Sequence, residues 1–174
     1  VLPLFLNSPA RPEQGELWLT VLDGGQGLAV VARTRQHTLL FDTGPSYGET
    51  DSGKQIILPY LRGEGITALD RMIVSHADSD HSGGALSILT SLPTRSLLGS
   101  LEEHHPIKLA IADYQRCRAG DTWWWEGVHF AILHPEQHKT SASARNRNES
   151  SCVLKITTRH GSVLLPADIG QVSE

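Results

Sequence analysis

Long apolar runs are missing from this 174-residue chain. A helix that crosses a bilayer needs about 20 consecutive apolar residues, and the apolar start at residues 1–6 is far shorter and contains Pro3. Nothing in the chain therefore reads as a membrane span. An excess of positive charge is missing too: 15 Lys and Arg stand against 19 Asp and Glu, giving a formal charge of -4 and a pI near 6.1. That is the wrong sign for holding nucleic acid by bulk attraction. Cysteine is scarce, with only Cys117 and Cys152, which excludes a four-cysteine zinc site and leaves two free thiols or one disulfide. Repeats and low-complexity tracts are absent, and hydrophobic residues, 39% of the total, are spread over the whole length. This excludes a disordered chain, a collagen and a coiled coil. What remains fits one domain, since domains commonly run from roughly 100 to 200 residues. The count that stands out is nine His, the commonest side-chain metal ligand.

Residues 7–14 carry Pro9 and Pro12 among polar residues and read as a linker into the domain. Residues 16–22 (ELWLTVL), 28–33 (LAVVAR) and 38–41 (TLLF) are β-rich and joined by short turns, which predicts an antiparallel meander. Residues 52–63 have an apolar stripe closed by glycine and read as a helix that Pro59 would kink or end. A buried strand is expected over residues 70–75 and a helix over 84–92, stopped by Pro93. Short strands are then expected at residues 96–100, 108–112, 123–125, 128–133, 152–158 and 162–166, with a polar surface loop over 136–151. The sum is a β-rich α/β chain.

The informative stretch is residues 75–84, SHADSDHSGG. It follows a hydrophobic strand and places His76, Asp78, Asp80 and His81 within six residues, ahead of Gly83 and Gly84. A tight loop at a strand end can turn all four side chains toward one point, whereas a strand would send alternate residues to opposite faces. Imidazole nitrogen and carboxylate oxygen are the ligand set of Zn²⁺ or Mn²⁺. Two carboxylates brought this close cost energy unless a cation pairs them. The bland alternative, a solvated polar loop, suits any single H-x-D but not the whole pattern between a buried strand and Gly-Gly.

H-x-D-x-D-H-x-G-G resembles the H-x-H-x-D-H signature of the metallo-β-lactamase fold, with Asp in place of the second His. Together with LDGGQG (22–27), LLFDTG (39–44), WWWEGVHFAILHP (123–135), NESSCVL (148–154) and LLPADI (164–169), it resembles the hydrolase domain of the ComEC family of competence proteins, which import DNA. The pieces stand in the expected order over almost the entire chain. Two departures lie near the site: Gly24 where valine is usual, and Pro166-Ala167 where threonine-glycine is usual.

The resemblance implies an αββα sandwich over residues 15–174, preceded by a linker over 1–14 that follows a membrane segment, with residues 1–6 as the end of that segment. It implies two divalent cations, Mn or Zn. His76 and Asp78 would bind one, Asp80 and His81 the other, with Asp80 and His81 also counted as catalytic. Asp168 would bridge the two, and Asp42 would hold the metal loop from behind. The family pattern continues into an H-H-G-S motif that supplies a further ligand, and none stands between Asp168 and Glu174. The expectation is therefore a domain lacking its C-terminal part, with an incomplete second metal site. The implied activity is phosphodiester hydrolysis, degrading the DNA strand that does not enter the cell. The implied partners are DNA and the membrane channel of the same polypeptide, on the extracytoplasmic face of the inner membrane. An oxidising compartment would favour a Cys117–Cys152 disulfide, worth roughly 3 to 4 kcal/mol by chain entropy. Two alternatives are a thioester or lactone hydrolase of the same fold, and a non-catalytic module that binds DNA or the channel.

Other candidates have plainer readings. His104 and His105 precede Pro106 in a polar stretch and read as surface. His134 sits in an L-H-P turn and suits packing or capping. Trp123, Trp124 and Trp125 could stack on bases, but alternation puts at least one side of the run in the core. Arg145 and Arg147 could contact phosphate, with a solvated loop preferred.

Overall fold

In the computed structural model, residues 10–136 and 148–169 are described. Strands β1 (Trp18–Val21), β2 (Val30–Arg33) and β3 (Thr38–Phe41) form the expected antiparallel meander. A two-stranded hairpin follows, β4 (Ser46–Tyr47) and β5 (Thr50–Asp51). The expected helix over 52–63 begins as a π-helical turn, Gly53–Ile57, and continues as α1, Leu58–Gly63. Pro59 is the second residue of α1, directly after the π-helical turn, and the helix runs on to Gly63, so Pro59 does not end it. Then come β6 (Leu69–Val74), a one-turn α2 (Ser79–Ser82), α3 (Ala85–Ser91) and β7 (Thr94–Gly99).

The strand expected over 108–112 is not there. Residues Pro106–Leu109 form a helical turn, α4, because Pro106 supplies a helical φ at its start and the His105 ring accepts a hydrogen bond from the Ile107 N–H at 3.3 Å. The strand of this region is β8, Tyr114–Arg116, which pairs with β7. The chain ends in β9 (Thr122–Trp125), β10 (Val128–His134), β11 (Val153–Thr158) and β12 (Gly161–Leu165).

One sheet has the order β1-β2-β3-β6-β7-β8, antiparallel through the meander and parallel from β3 onward. The other has the order β12-β11-β10-β9, all antiparallel. The first sheet is covered on both faces, which is why its inner strands β2 and β3 are almost continuously apolar. On one face Val31, Leu40, Met72 and Leu97 pack against Ile57, Leu61 and Ile88 of the helices. On the other, Leu39, Phe41, Ile73 and Leu98 meet Phe130, Ile132, Leu154 and Ile156 of the second sheet. Among the described residues the layers run helices, sheet, sheet, and the outer face of the second sheet presents Trp124, Leu133 and Leu164 to solvent. This architecture leaves the C-terminal ends of β3 and β6, and the segment after β12, at one end of the sandwich.

Candidate metal centre

The site starts from Asp42, the residue after β3. It is fully buried and holds a positive φ of 57°, a conformation that aspartate tolerates better than most residues. Its carboxylate takes three hydrogen bonds: from the Ser75 N–H at 2.7 Å, from the Ser75 hydroxyl at 2.8 Å, and from Nδ1 of His81 at 2.7 Å. Because the Ser75 hydroxyl is spent on Asp42, its oxygen can accept from Nδ1 of His76, 3.0 Å away. Asp42 thus sets both imidazoles as Nδ1–H tautomers, directly for His81 and through Ser75 for His76. Each ring is left with a lone pair on Nε2, the form in which histidine ligates metals.

Of the five expected ligands, three group together and the other two each lie beside one histidine. His76 Nε2 is 3.6 Å from Asp78 Oδ2, His81 Nε2 is 3.7 Å from Asp80 Oδ2, and His81 Nε2 is 3.3 Å from Asp168 Oδ1. The two imidazoles lie 4.3 Å apart by ring centroids. The turn of α2 is what brings Asp80 and His81 round toward His76, so that one ligand atom from each of these three lies within 4.8 Å of the others. That trio draws on both of the metal sites that the resemblance implies. Asp168 arrives three residues after β12 ends, its approach bent by Ala167 at φ 51°.

Burial and charge pull the two histidines in opposite directions. Burial lowers the His76 pKa, His81 lowers it further, and the surrounding carboxylates only partly offset this. Burial also opposes a charge on His81, but the hydrogen bond and charge of Asp42, then Asp168 and Asp80, outweigh it and raise the pKa. For Asp42 burial dominates and raises the pKa against the pull of His81 and Ser75. The His76 ring is therefore biased toward its neutral form, while His81 is biased toward its protonated one.

Glycine is needed where backbones touch. Gly27 has φ +117°, and a Cβ there would stand 2.2 Å from the carbonyl oxygen of Asp80, the group that accepts from the Leu28 N–H. Gly83 and Gly84 press on the backbone of Pro45, Ser46 and Gly53, with a Cβ at Gly83 falling 2.3 Å from the Ser46 nitrogen. Gly24, by contrast, has its nearest neighbours at an ordinary 3.6 Å.

Several residues that sequence reasoning passed over hold the loop. Ser75 is the relay described above. Thr43 donates to the His81 carbonyl from both its N–H and its hydroxyl, at 2.8 and 2.9 Å. The buried Ser52 hydroxyl binds the Thr43 and Pro45 carbonyls. The available signal was position alone: a serine immediately before the first histidine, and a threonine after the strand-end aspartate.

The remaining candidates separate from the site. His134 is buried with Nδ1 2.9 Å from the Ser151 carbonyl, a packing role as expected. His104 is exposed, and His105 caps α4. Trp123 is stacked on Phe130 and Trp125 on His37, whereas Trp124 is 66% exposed on the outer sheet face. Cys117 and Cys152 form a disulfide, both buried. Residues 1–9 and the loop with Arg145 and Arg147 lie outside the described residues.

A divalent cation fits these groups on two observations: the donors are imidazole and carboxylate, and Nε2 of His76 is buried without any hydrogen-bond partner. Residues 22–174 match the metallo-beta-lactamase superfamily. The chain belongs to that superfamily. Its relatives include Recombination protein 2 of Haemophilus influenzae, 38% identical over 84% of this chain and 18% of that protein. Competence protein ComA of Neisseria gonorrhoeae is 33% identical over 94% of this chain and 22% of that protein. Both are competence proteins of the ComEC family, and the chain spans about a fifth of their length. Among solved structures, a Cronobacter sakazakii metallo-β-lactamase with a HARLDQ motif (mutant S60) superposes with a TM-score of 0.58 over 90% of this chain and 63% of that one. At 17% identity it shares the fold.

Proposed function

We propose that the chain is a metal-dependent phosphodiester hydrolase that degrades one DNA strand during DNA uptake, on the extracytoplasmic side of the membrane. The observation that carries this reading is the grouping of His76, Asp80 and His81, with Asp78 beside His76 and Asp168 beside His81, where Nε2 of His76 is buried without a hydrogen-bond partner. Competence relatives favour DNA as the substrate. The Cys117–Cys152 disulfide favours an oxidising compartment.

His76 with Asp78, 3.6 Å apart, would hold one cation, and Asp80 with His81, 3.7 Å apart, the other. Divalent cations bound there supply Lewis acidity, polarising a phosphoryl oxygen and acidifying water. The chain's own residues do the positioning. Asp42 and Ser75 hold both imidazoles with Nε2 toward the cluster, and Thr43 pins the His81 backbone. Asp80 and Asp168, 44% and 43% exposed on their side chains, leave the cluster accessible to solvent.

The test is a plasmid-nicking assay with added Mn²⁺ or Zn²⁺, using Asp80→Ala as control. Metal-dependent nicking that the substitution abolishes is expected. No nicking with either metal would sink the hydrolase reading, and DNA binding without nicking would favour a non-catalytic module.

A further inference from the structure

The two sheets part along one edge, where β8 of the first and β9 of the second border a cavity of about 510 Å³. Arg71, Arg116 and Arg118 line it, with Asp121 in its wall, and both Asp113 and Asp121 act electrostatically on Arg71. This is a concentration of positive charge on a chain whose formal charge is -4. None of the three arginines makes an ion pair among the described residues. Arg71 is preorganised: its guanidinium lies 4.3 Å from the Trp123 ring centroid, its Nε donates to Ser96 at 3.2 Å, and Trp123 is itself stacked on Phe130. A second arginine-lined cavity differs, since its Arg33 is already paired with Glu64 at 2.8 Å.

The groove is tied to the metal end of the sandwich. Arg116 pairs in register with Gly99, and Gly99 with Val74, two residues before His76. Two strand spacings are about 10 Å. Between Arg116 and Arg118 stands Cys117, whose disulfide partner Cys152 donates its N–H to the carbonyl of Ser75 at 2.9 Å. The disulfide thus fixes the arginine pair relative to the metal ligands.

We propose that this groove is an exosite for the phosphate backbone of a nucleic-acid strand, with Arg71, Arg116 and Arg118 contacting phosphates. The choice of nucleic acid over another polyanion rests on the hydrolase reading above; the clustering of unpaired arginines does not. Arginine meets phosphate with paired N–H donors, and the Trp123 ring is already occupied by Arg71 and Phe130, so the groove grips the backbone and ignores base identity. Binding of this kind is steeply salt-dependent.

Fluorescence anisotropy of a labelled 20-nucleotide single strand, in EDTA and across 50 to 200 mM salt, tests this without cleavage. Arg116→Gln/Arg118→Gln leaves the packed Arg71 in place and is expected to weaken binding at least about tenfold. It should also flatten the slope of log affinity against log salt by about 1.4, for two lost phosphate contacts. Arg62→Gln/Arg95→Gln, at exposed positions outside the groove, should bind as the parent does, and all three proteins should melt alike. No binding by the parent, an unchanged slope in the groove variant, an equal loss in the control, or equal competition by oligoglutamate of the same charge would each overturn the exosite. Because the measurement is metal-free, a loss of binding in a chain that nicks no plasmid supports the groove while sinking the hydrolase reading.

Discussion

Oδ2 of Asp42 lies 2.7 Å from Nδ1 of His81, and the same oxygen takes the Ser75 hydroxyl at 2.8 Å. One buried carboxylate therefore sets the orientation and tautomer of two candidate ligands. Asp42→Asn keeps the shape but replaces an acceptor with a group that can also donate, and it removes the charge that favours His81 as a ligand. Partners of this kind are worth about 10- to 100-fold in metal affinity. Asp42→Asn is expected to weaken Zn²⁺ or Mn²⁺ binding by that factor, read by competition with a chromophoric chelator. Parent-like affinity would show that Asp42 does not position the ligands.

Gly27 and Gly24 sit three residues apart in one loop and make opposite predictions. A Cβ at Gly27 collides with the Asp80 carbonyl at 2.2 Å and must take φ +117°, whereas one at Gly24 meets only ordinary contacts at 3.6 Å. Gly27→Ala should cost about 1 to 3 kcal/mol in urea unfolding, with metal binding weakened as the Asp80 backbone shifts. Gly24→Ala should stay within about 0.5 kcal/mol.

Much of this arrangement was legible in the sequence, for identifiable reasons. The meander showed because β2 and β3 are apolar on both faces and their turns are short. The candidate ligands stood out because four of them fall within six residues, 76–81. Ser75, Thr43 and Ser52 did not, since a hydroxyl acquires its role only from a tertiary partner: Ser75 from Asp42, 33 positions away, and Ser52 from the carbonyl of Thr43. Residues 108–112 look like a strand in the sequence because Leu109 and Ile111 alternate as in one, yet Pro106–Leu109 is helical. His105 and Pro106 decide against that through capping and a fixed φ. The edge strand β8, three residues long and polar, carries no periodicity to read.

The disulfide between Cys117 and Cys152 closes a loop with a sequence separation of 35. Chain-entropy arithmetic gives about 3 to 4 kcal/mol for a loop of that size. Cys117→Ala/Cys152→Ala should lose stability of this order in urea, and the parent protein should resist alkylation until reduced and unfolded. Rapid alkylation of the native protein would contradict a buried disulfide.

Glu126 and Gly127 form the turn between β9 and β10 with φ of 44° and 88°, the type I′ pattern that normally calls for Asn-Gly. A glutamate is accommodated there because its carboxylate accepts from the Thr34 hydroxyl, from the Gln36 N–H at 3.3 Å and from Nδ1 of His37 at 2.8 Å. Burial alone would raise its pKa, but these donors and the His37 charge outweigh burial and hold it below the ordinary 4.5. A carboxylate with a depressed folded-state pKa adds stability that is complete above the unfolded value and disappears as pH falls through the folded one. Glu126→Gln keeps the side-chain length and removes the charge. The gap in urea midpoint between parent and variant should close as pH falls below 4.5. A gap that stays constant down to about pH 3 would show that the turn depends on the shape of Glu126 and not on its charge.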